Sequence, residues 1–323
     1  MYFYLIKRNF MSQIRPDPHP LDYDWRFSEN SIEKILSRLP EHGNVLAIGA
    51  PSIYRGIAQR SQKITLVDRQ LFPDNNKHLV IDANSSNMIE GDFDYSFIDP
   101  PWYPEETMRW LSLCAVSIKD KGKIFLSIWP NATRPNAINE KNKIFDWIDT
   151  WGNYEVTPGF FEYKTPKFEL ETVGFNERSE TIDLRHGDLV VINKLSTPDI
   201  LPPLSKDNLW HRFVIGTYQL AVRISDNDGI PCIEKHELAK GWLWSSVSKR
   251  QEGRADISLW DSNNRVAKIS GSREILQEVR VALGLCSSRD NNPRTTEMIV
   301  KLFKEWKVPS VKAEGIREWH HLD

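Results

Sequence analysis

Short apolar runs alternate with segments of helical spacing between residues 44 and 195. This alternation constrains the fold, because strands separated by helices normally pair in parallel, with helices covering both faces of the sheet. The sequence therefore predicts an α/β fold with a doubly wound parallel sheet. The predicted strands are 45–48, 64–67, 78–81, 93–98 and 122–129, followed by β-type runs at 159–168 and 188–193, and the predicted helices are 52–59, 105–117 and 139–151.

The first four predicted strands end in one glycine and three aspartates, namely Gly49, Asp68, Asp82 and Asp99. In open α/β sheets, ligands bind at the carboxyl ends of the strands, where the strand order reverses. A single aspartate at such a position usually caps a helix or closes a turn. The whole set is harder to assign to caps alone, so it predicts a ligand site at this edge of the sheet.

The fourth predicted strand continues into the motif Asp99-Pro100-Pro101-Trp102. The prolines lack backbone donors and fix φ, so the chain leaves the sheet in a rigid, extended turn. This turn holds a carboxylate, backbone carbonyl groups and a flat aromatic face in a fixed relation. Such a set suits the recognition of a planar amino group, whereas the purely structural alternative is a proline-rich turn with a packed tryptophan.

Several segments of this region resemble one known family. They are residues 45–54 (Val-Leu-Ala-Ile-Gly-Ala-Pro-Ser-Ile-Tyr), 66–68, 93–107 and 122–126, together with the upstream segment 22–27. In this order they resemble the eukaryotic "probable N6-adenine methyltransferase" group. That group includes the elongation-factor lysine methyltransferases and the zinc-finger 28S rRNA adenine methyltransferase. The resemblance covers roughly residues 20 to 195.

The resemblance implies a Rossmann-like fold that binds S-adenosylmethionine (SAM). The turn after the first strand would approach the cofactor closely, as glycine-containing turns do in dinucleotide-binding folds. Asp68 is placed to accept hydrogen bonds from ribose hydroxyls. Asp82 or its neighbour Asn84 would reach the adenine edge, although a turn role for Asp82 is an equal alternative. The predicted cofactor turn consists of Gly49, Ala50, Pro51 and Ser52 and lacks the usual GxGxG spacing.

The motif that ends the fourth strand supplies the predicted catalytic residues, which are Asp99, Pro100, Pro101 and Trp102. Asp99 and the Pro100 carbonyl would accept the two amino hydrogens, and Trp102 would stack on a base, as single-stranded or flipped bases are held. Most of the catalysis would be positioning and local electrostatics. Further predicted substrate-binding aromatics are Trp25, Tyr103 and Trp129, but most of the twelve tryptophans are expected in the core.

Three functions stay open at this point. We expect an enzyme that methylates adenine N6 in RNA or DNA, with nucleic acid as its partner. One alternative is a protein-lysine N-methyltransferase, whose amine would need an acid and an aromatic wall rather than a stacking surface. The other is a catalytically silent protein that keeps the SAM fold and binds a partner.

The chain is long enough for two domains. The predicted SAM domain spans 1–195, and a proline-containing linker follows at 196–208. Residues 209–323 predict a smaller α+β accessory domain for substrate recognition, with a strand at 213–223, a hairpin at 255–269 and helices at 272–285 and 295–307.

The composition indicates whether the chain is a soluble, secreted or membrane protein. A hydrophobic content of 40% and a net charge of −2 over 323 residues are ordinary for a soluble domain. Three cysteines far apart in the sequence favour a reducing compartment and predict no zinc site. No apolar run approaches the roughly 20 residues that span a bilayer. The opening residues lack a signal-peptide pattern. We expect a cytoplasmic protein without a metal or a membrane partner.

Overall fold

Most of the predicted strands pair into one mixed β-sheet in the computed structural model of the chain. The structure describes residues 15–60, 63–70, 77–173, 185–204, 210–225, 229–287, 292–311 and 315–320. In chain order, the elements of the first part are β1 (Arg26–Phe27), α1 (Glu29–Arg38), β2 (Val45–Ile48), α2 (Pro51–Ala58), β3 (Ile64–Asp68), β4 (His78–Val80), β5 (Phe93–Ile98), α3 (Pro104–Ser117), β6 (Ile118–Ile128), α4 (Ala137–Ile148), β7 (Gly152–Lys164), α5 (Lys167–Val173) and β8 (Arg185–Lys194).

The mixed sheet has eight strands in the order β1-β7-β8-β6-β5-β2-β3-β4. Strands β4, β3, β2, β5 and β6 run parallel, and β8 is antiparallel to both of its neighbours, β6 and β7. The chain builds outward from β2 to β4 and then returns to place β5 on the other side of β2. The strand order therefore reverses between β2 and β5, and this reversal point is where open α/β sheets bind ligands.

Both faces of the sheet are covered, as a doubly wound fold requires. On β2, Val45 and Ala47 join one buried cluster with residues of α1 and α2. The alternate residues Leu46 and Ile48 join a second buried cluster with residues of α3 and α4. Because successive side chains of a strand point to opposite faces, these four fully buried residues anchor helices on both sides. The predicted α/β fold class is confirmed.

The second part of the chain forms a six-stranded antiparallel sheet with the order β11-β13-β12-β10-β9-β14. Helices α6 and α7 pack on one face of it. The opposite face carries a smaller buried cluster around Trp210, Trp244 and Trp260. Its elements are β9 (Trp210–Ile215), β10 (Tyr218–Arg223), β11 (Cys232–Lys235), β12 (Leu259–Asp261), β13 (Val266–Ser270), α6 (Ser272–Ala282), α7 (Pro293–Glu305) and β14 (Ile316–His320).

The chain divides into two units. One consists of Trp25–Thr165 and Glu180–Lys206 and contains the eight-stranded sheet. The other consists of Met1–Asp24, Pro166–Ser179 and Asp207–Asp323 and contains the six-stranded sheet. Residues 15–24 and 166–173 thus group with the second unit, whereas the sequence pattern assigned them to the SAM domain. Residues 205–208 of the predicted linker lie outside the described residues, and the accessory role of the second unit stays a prediction.

The element predictions were wrong in a few places. The predicted strand 213–223 is a hairpin of β9 and β10, because Gly216 takes a left-handed φ of 59° in the two-residue turn between Ile215 and Tyr218. Strand β7 begins at Gly152 rather than at residue 159. The unpredicted strands β1, β11 and β14 all lie at sheet edges. In the part of the chain that the structure describes, no helix combines the length and apolarity needed to cross a membrane.

Candidate active site

Gly49 follows β2 at the point where the strand order reverses. Its φ is 65°, and its N–H donates to the Val67 carbonyl at 2.9 Å. A Cβ added to Gly49 would lie 2.4 Å from Cζ3 of Trp110 and 3.1 Å from the Asp99 carbonyl oxygen. Only glycine fits this position, since both the backbone conformation and the surrounding atoms exclude a side chain.

The rest of the predicted cofactor turn starts helix α2. Ala50 precedes the helix with φ −126° and ψ 59° and makes no side-chain capping bond, and Pro51 occupies the first turn. Ala50 and Pro51 are buried, whereas Ser52 is half-buried. The turn therefore brings small side chains and a helix N-terminus next to Gly49.

Asp68 and Asp82 both close turns after their strands. Oδ1 of Asp68 accepts from the Gln70 N–H at 2.8 Å, and Oδ1 of Asp82 accepts from the Asn84 N–H at 2.9 Å. Each is an Asx turn, in which the carboxylate bonds the backbone two residues further on. Both side chains are half-buried. The turn role is thus observed for both residues, and their roles toward ribose and adenine stay predictions.

Trp110 is a residue of this site that sequence reasoning missed. It lies on α3, its ring fills the space beside Gly49, and its indole N–H donates to Oδ1 of Asn84 at 2.8 Å. Through these two contacts it links the end of β2 to the turn after β4. No local signal distinguishes it, because a tryptophan on an apolar helix face ordinarily indicates core packing.

Asp99 follows β5 and lies beside Gly49, since Ile98 pairs with Ile48 in the parallel register. The Asp99 backbone N–H donates to the Ile48 carbonyl at 3.1 Å. One carboxylate oxygen, Oδ1, accepts a hydrogen bond of 2.8 Å from the Tyr163 hydroxyl. The Asp99 side chain is half-buried.

Tyr163 lies on β7 and is almost completely buried, with 1% of its surface exposed. Its hydroxyl also contacts the Ser127 hydroxyl on β6 through a short hydrogen bond. Burial, followed by the negative charge of Asp99, raises the pKa of the Tyr163 phenol well above its usual range. The phenol is therefore protonated and donates to Asp99 throughout the neutral range.

The two prolines hold the turn against α3. Pro100 is buried, and the Pro101 carbonyl accepts from the Tyr103 N–H at 2.7 Å and from the Thr107 hydroxyl at 3.3 Å. Tyr103 precedes α3, and Pro104 occupies its first turn, where the missing N–H carries no cost. Residues 99–103 thus connect β5 to α3 outside regular secondary structure, and the extended conformation of the two prolines stays a prediction.

Trp102 is half-buried and packs edge-to-face on Tyr163, with ring centroids 5.6 Å apart and an interplanar angle of 87°. Gly187 on β8 makes room for both rings. A Cβ there would lie 3.0 Å from Cε2 of Tyr163 and 3.3 Å from Cζ2 of Trp102. Trp102 and Asp99 are thus joined through the same tyrosine.

The other predicted aromatics differ in their surroundings. The half-buried Trp25 carries the Arg185 guanidinium 3.9 Å above its ring centroid. Trp129 is fully buried, and its indole N–H donates to the Ala137 carbonyl at 3.1 Å. The Arg134 guanidinium covers the Trp129 ring at 4.4 Å from the centroid. Since Trp129 is enclosed in this way, it is part of the core, and its ring has no exposed face for a substrate.

Comparison with known proteins gives one curated relative. No protein-family model matches the chain. EEF1A lysine methyltransferase 1 from Danio rerio is 29% identical over 117 residues, which span 32% of this chain and 70% of that protein.

Solved structures with a similar arrangement share little sequence with the chain. The branched-chain polyamine synthase from Thermus thermophilus has a TM-score of 0.49 and 12% identity, covering 60% of this chain and 64% of the synthase chain. This chain thus spans less than two thirds of the synthase. A SAM-dependent methyltransferase from Methanosarcina mazei has a TM-score of 0.33 and 13% identity, covering 50% of this chain and 97% of the other. The tRNA (m1A58) methyltransferase from Aquifex aeolicus has a TM-score of 0.35 and 17% identity, covering 52% and 69%.

The chain has a Rossmann-like α/β fold. Its parallel strands reverse their order between β2 and β5, and Gly49 and Asp99 flank the reversal. The SAM-dependent methyltransferase activity, the N6-adenine subgroup and the substrate stay predictions.

Proposed function

We propose that this protein is a SAM-dependent N-methyltransferase that acts on an amino nitrogen. The observation that carries the proposal is the position of Asp99. The residue follows β5 directly beside Gly49, at the reversal of the strand order, and Tyr163 holds its carboxylate by a 2.8 Å hydrogen bond. A carboxylate that is held in place next to the predicted cofactor turn can orient an amino group toward a bound cofactor.

The residues of the predicted cofactor turn, together with Asp68, fit the cofactor. Gly49 places a backbone without a side chain at the reversal of the strand order, with Trp110 packed beside it, and the half-buried Asp68 ends the adjacent strand. Gly49, the turn through Ser52 and Asp68 would therefore hold SAM, with Asp68 toward the ribose. When bound, SAM supplies a methyl group on a sulfonium sulfur, which keeps the bonding electron pair as the methyl passes to the substrate nitrogen.

The protein's own residues orient the amino group. Asp99 accepts an N–H hydrogen bond and so directs the nitrogen lone pair away from the carboxylate. Trp102, held edge-on against Tyr163, provides an aromatic wall beside it. As the new nitrogen–carbon bond forms, the nitrogen releases one proton to water. Positioning and local electrostatics thus account for most of the catalysis.

Adenine N6 in RNA or DNA is the first candidate substrate. An aromatic amine is a weak nucleophile, because its lone pair is delocalised into the ring. It therefore benefits from acceptors for both amino hydrogens and from an aromatic surface that holds the ring. The Asp99-Pro100-Pro101-Trp102 turn supports this substrate, and the second unit would then bind the nucleic acid.

A protein lysine is the second candidate, and a specific observation favours it. The curated relative, at 29% identity, is by name a lysine methyltransferase. The rings of Trp102 and Tyr163 would form the aromatic wall along an aliphatic chain that ends in an amine. Both candidates use the same reaction, and a catalytically silent partner-binding protein is the remaining alternative.

Labelled methyl transfer distinguishes these outcomes. The purified chain is incubated with methyl-labelled SAM and, separately, with total RNA, DNA or protein from cells that lack the gene. Label that digests to N6-methyladenine supports the nucleic-acid substrate, and label in a protein band that hydrolyses to methyllysine supports the lysine substrate. SAM binding without transfer to any pool contradicts both and leaves the partner-binding alternative.

A further inference from the structure

We propose that Ser127 and Tyr163 form a hydrogen-bond relay that fixes the orientation of the Asp99 carboxylate toward the substrate amino group. This inference rests on the proposed N-methyltransferase function. It makes Tyr163 a positioning residue, since the phenol acts on the substrate through Asp99.

The relay joins three strands that are distant in sequence. Ser127 lies on β6, Tyr163 on β7 and Asp99 directly after β5. The Tyr163 ring reaches across β8, which lies between β6 and β7, and Gly187 of β8 leaves the space for it. A side chain at Gly187 would meet Tyr163 at 3.0 Å, so the relay depends on a glycine at this position.

Each hydroxyl has one proton to donate, and this decides which group is the donor in each hydrogen bond of the relay. A phenol carries one proton, and the Tyr163 hydroxyl donates it to Oδ1 of Asp99 at 2.8 Å. The Ser127 hydroxyl must therefore be the donor in its hydrogen bond to Tyr163. The chain of donation runs from Ser127 to Tyr163 to Asp99 and ends on the carboxylate.

This direction has two consequences for Asp99. A hydrogen bond donated to a carboxylate favours its ionised form, which accepts hydrogen bonds from an amino group. The same bond also restricts rotation of the half-buried side chain. Because misplacement by about 1 Å at a reacting centre can lower a rate roughly 100-fold, a fixed carboxylate has a direct effect on turnover.

Packing alone does not account for the hydroxyl of Tyr163. The ring lies in an apolar aromatic cluster, with its centroid 4.6 Å from that of Phe27 and 5.6 Å from that of Trp102. A phenylalanine would fill this space equally well and would avoid burying a polar group. Ser127 is also fully buried. These two hydroxyls are therefore explained by the carboxylate that they support.

The test compares Tyr163→Phe and Ser127→Ala with the matched control Tyr154→Phe. Tyr154 lies on the same strand β7, where its ring stacks on Phe145 with centroids 4.5 Å apart, away from the relay. Methyl transfer is measured on the pool that the wild type labels, together with the Kd for SAM and the thermal midpoint. The relay predicts that Tyr163→Phe lowers kcat roughly 10- to 100-fold, while the Kd for SAM changes less than about twofold.

The double variant Tyr163→Phe/Ser127→Ala tests the direction of the relay. Because Ser127 acts only through Tyr163, the double variant should turn over no more slowly than Tyr163→Phe alone. If Tyr163→Phe does not fold, Ser127→Ala decides: lowered kcat with unchanged SAM binding supports the relay. Wild-type kcat in Tyr163→Phe, or an equal loss in Tyr154→Phe, overturns the relay alone. A wild type that transfers no label to any pool overturns the proposed function and the relay with it.

Discussion

Gly49 and Trp110 occupy complementary space at the reversal of the strand order: a Cβ on Gly49 would lie 2.4 Å from Cζ3 of Trp110. The tryptophan is itself held by a 2.8 Å hydrogen bond to Asn84. The end of β2, the turn after β4 and helix α3 therefore meet at one point. A change in any of them should alter the position of the predicted cofactor turn.

The substitution Gly49→Ala tests this point. The new methyl group would displace Trp110 or move the backbone away from its left-handed φ, so we expect the Kd for SAM to rise at least about tenfold, which corresponds to about 1.4 kcal/mol. Isothermal titration calorimetry with SAM measures the effect directly.

Gly159→Ala is the matched control. Gly159 has nearly the same φ, 62°, but a Cβ there would meet nothing within 4 Å. Gly159→Ala therefore introduces the same backbone strain as Gly49→Ala, without a collision like that with Trp110. Equal SAM affinities for the two variants would mean that the contact between Gly49 and Trp110 does not shape the cofactor site.

Trp102 and Trp129, which the sequence predicts to contact the substrate, should respond differently to truncation. Trp129→Ala removes a fully buried ring and should lower the free energy of unfolding by about 3 to 5 kcal/mol. Trp102→Ala removes a half-buried ring next to Asp99 and should mainly raise the KM for the methyl acceptor. Urea unfolding and steady-state methylation measure these effects. A Trp102→Ala protein with wild-type KM would exclude Trp102 from the substrate site.

The sequence predicted the fold class and the strand ends that carry candidate site residues, because the signals for both lie in short stretches of sequence. An apolar run that ends in an aspartate predicts the end of a strand, as at Asp68 and Asp99. The fixed φ of proline predicts that the chain leaves the sheet at Pro100. Tyr163 could not be predicted, because only the order β6-β8-β7 brings it to Asp99. Trp102 and Trp129 look equivalent as sequence, and only the packing distinguishes them. The edge strand β11 was missed because its half-exposed residues carry little apolar periodicity.

The buried Asp261 of the second unit should make stability depend on pH. Burial raises its pKa from 3.8 to about 6, although Tyr218 and two backbone N–H groups donate to the carboxylate. Since the folded pKa exceeds the unfolded one, the stability that Asp261 contributes is fully present below pH 3.8 and is lost as the pH rises through about 6.

Asp261→Asn removes this titration. Between pH 4 and pH 7, the wild type should lose about 2 to 3 kcal/mol relative to the Asn variant. Urea unfolding of both full chains at the two pH values gives the comparison. A stability difference that is the same at both pH values would contradict the raised pKa.

The salt dependence of methylation should differ between the candidate substrates. Nucleic-acid binding releases counterions, so the KM for an RNA or DNA substrate should rise steeply, by about tenfold or more, between 50 and 200 mM salt. A protein substrate need not behave in this way. The measurement is the initial rate at a series of salt concentrations with the labelled pool. An RNA substrate whose KM is independent of salt would speak against a nucleic-acid site.

Methyl transfer by the wild type and by Asp99→Asn, with SAM affinity measured on both, tests the role of Asp99 in an N-methyltransferase. Asn keeps the shape of the side chain and an acceptor for Tyr163, but it lacks the charge of the carboxylate. We predict that the wild type methylates an amino nitrogen, and that Asp99→Asn binds SAM normally while its kcat falls roughly 100-fold or more. Full turnover by Asp99→Asn would show that the Asp99 carboxylate does not orient the amino group.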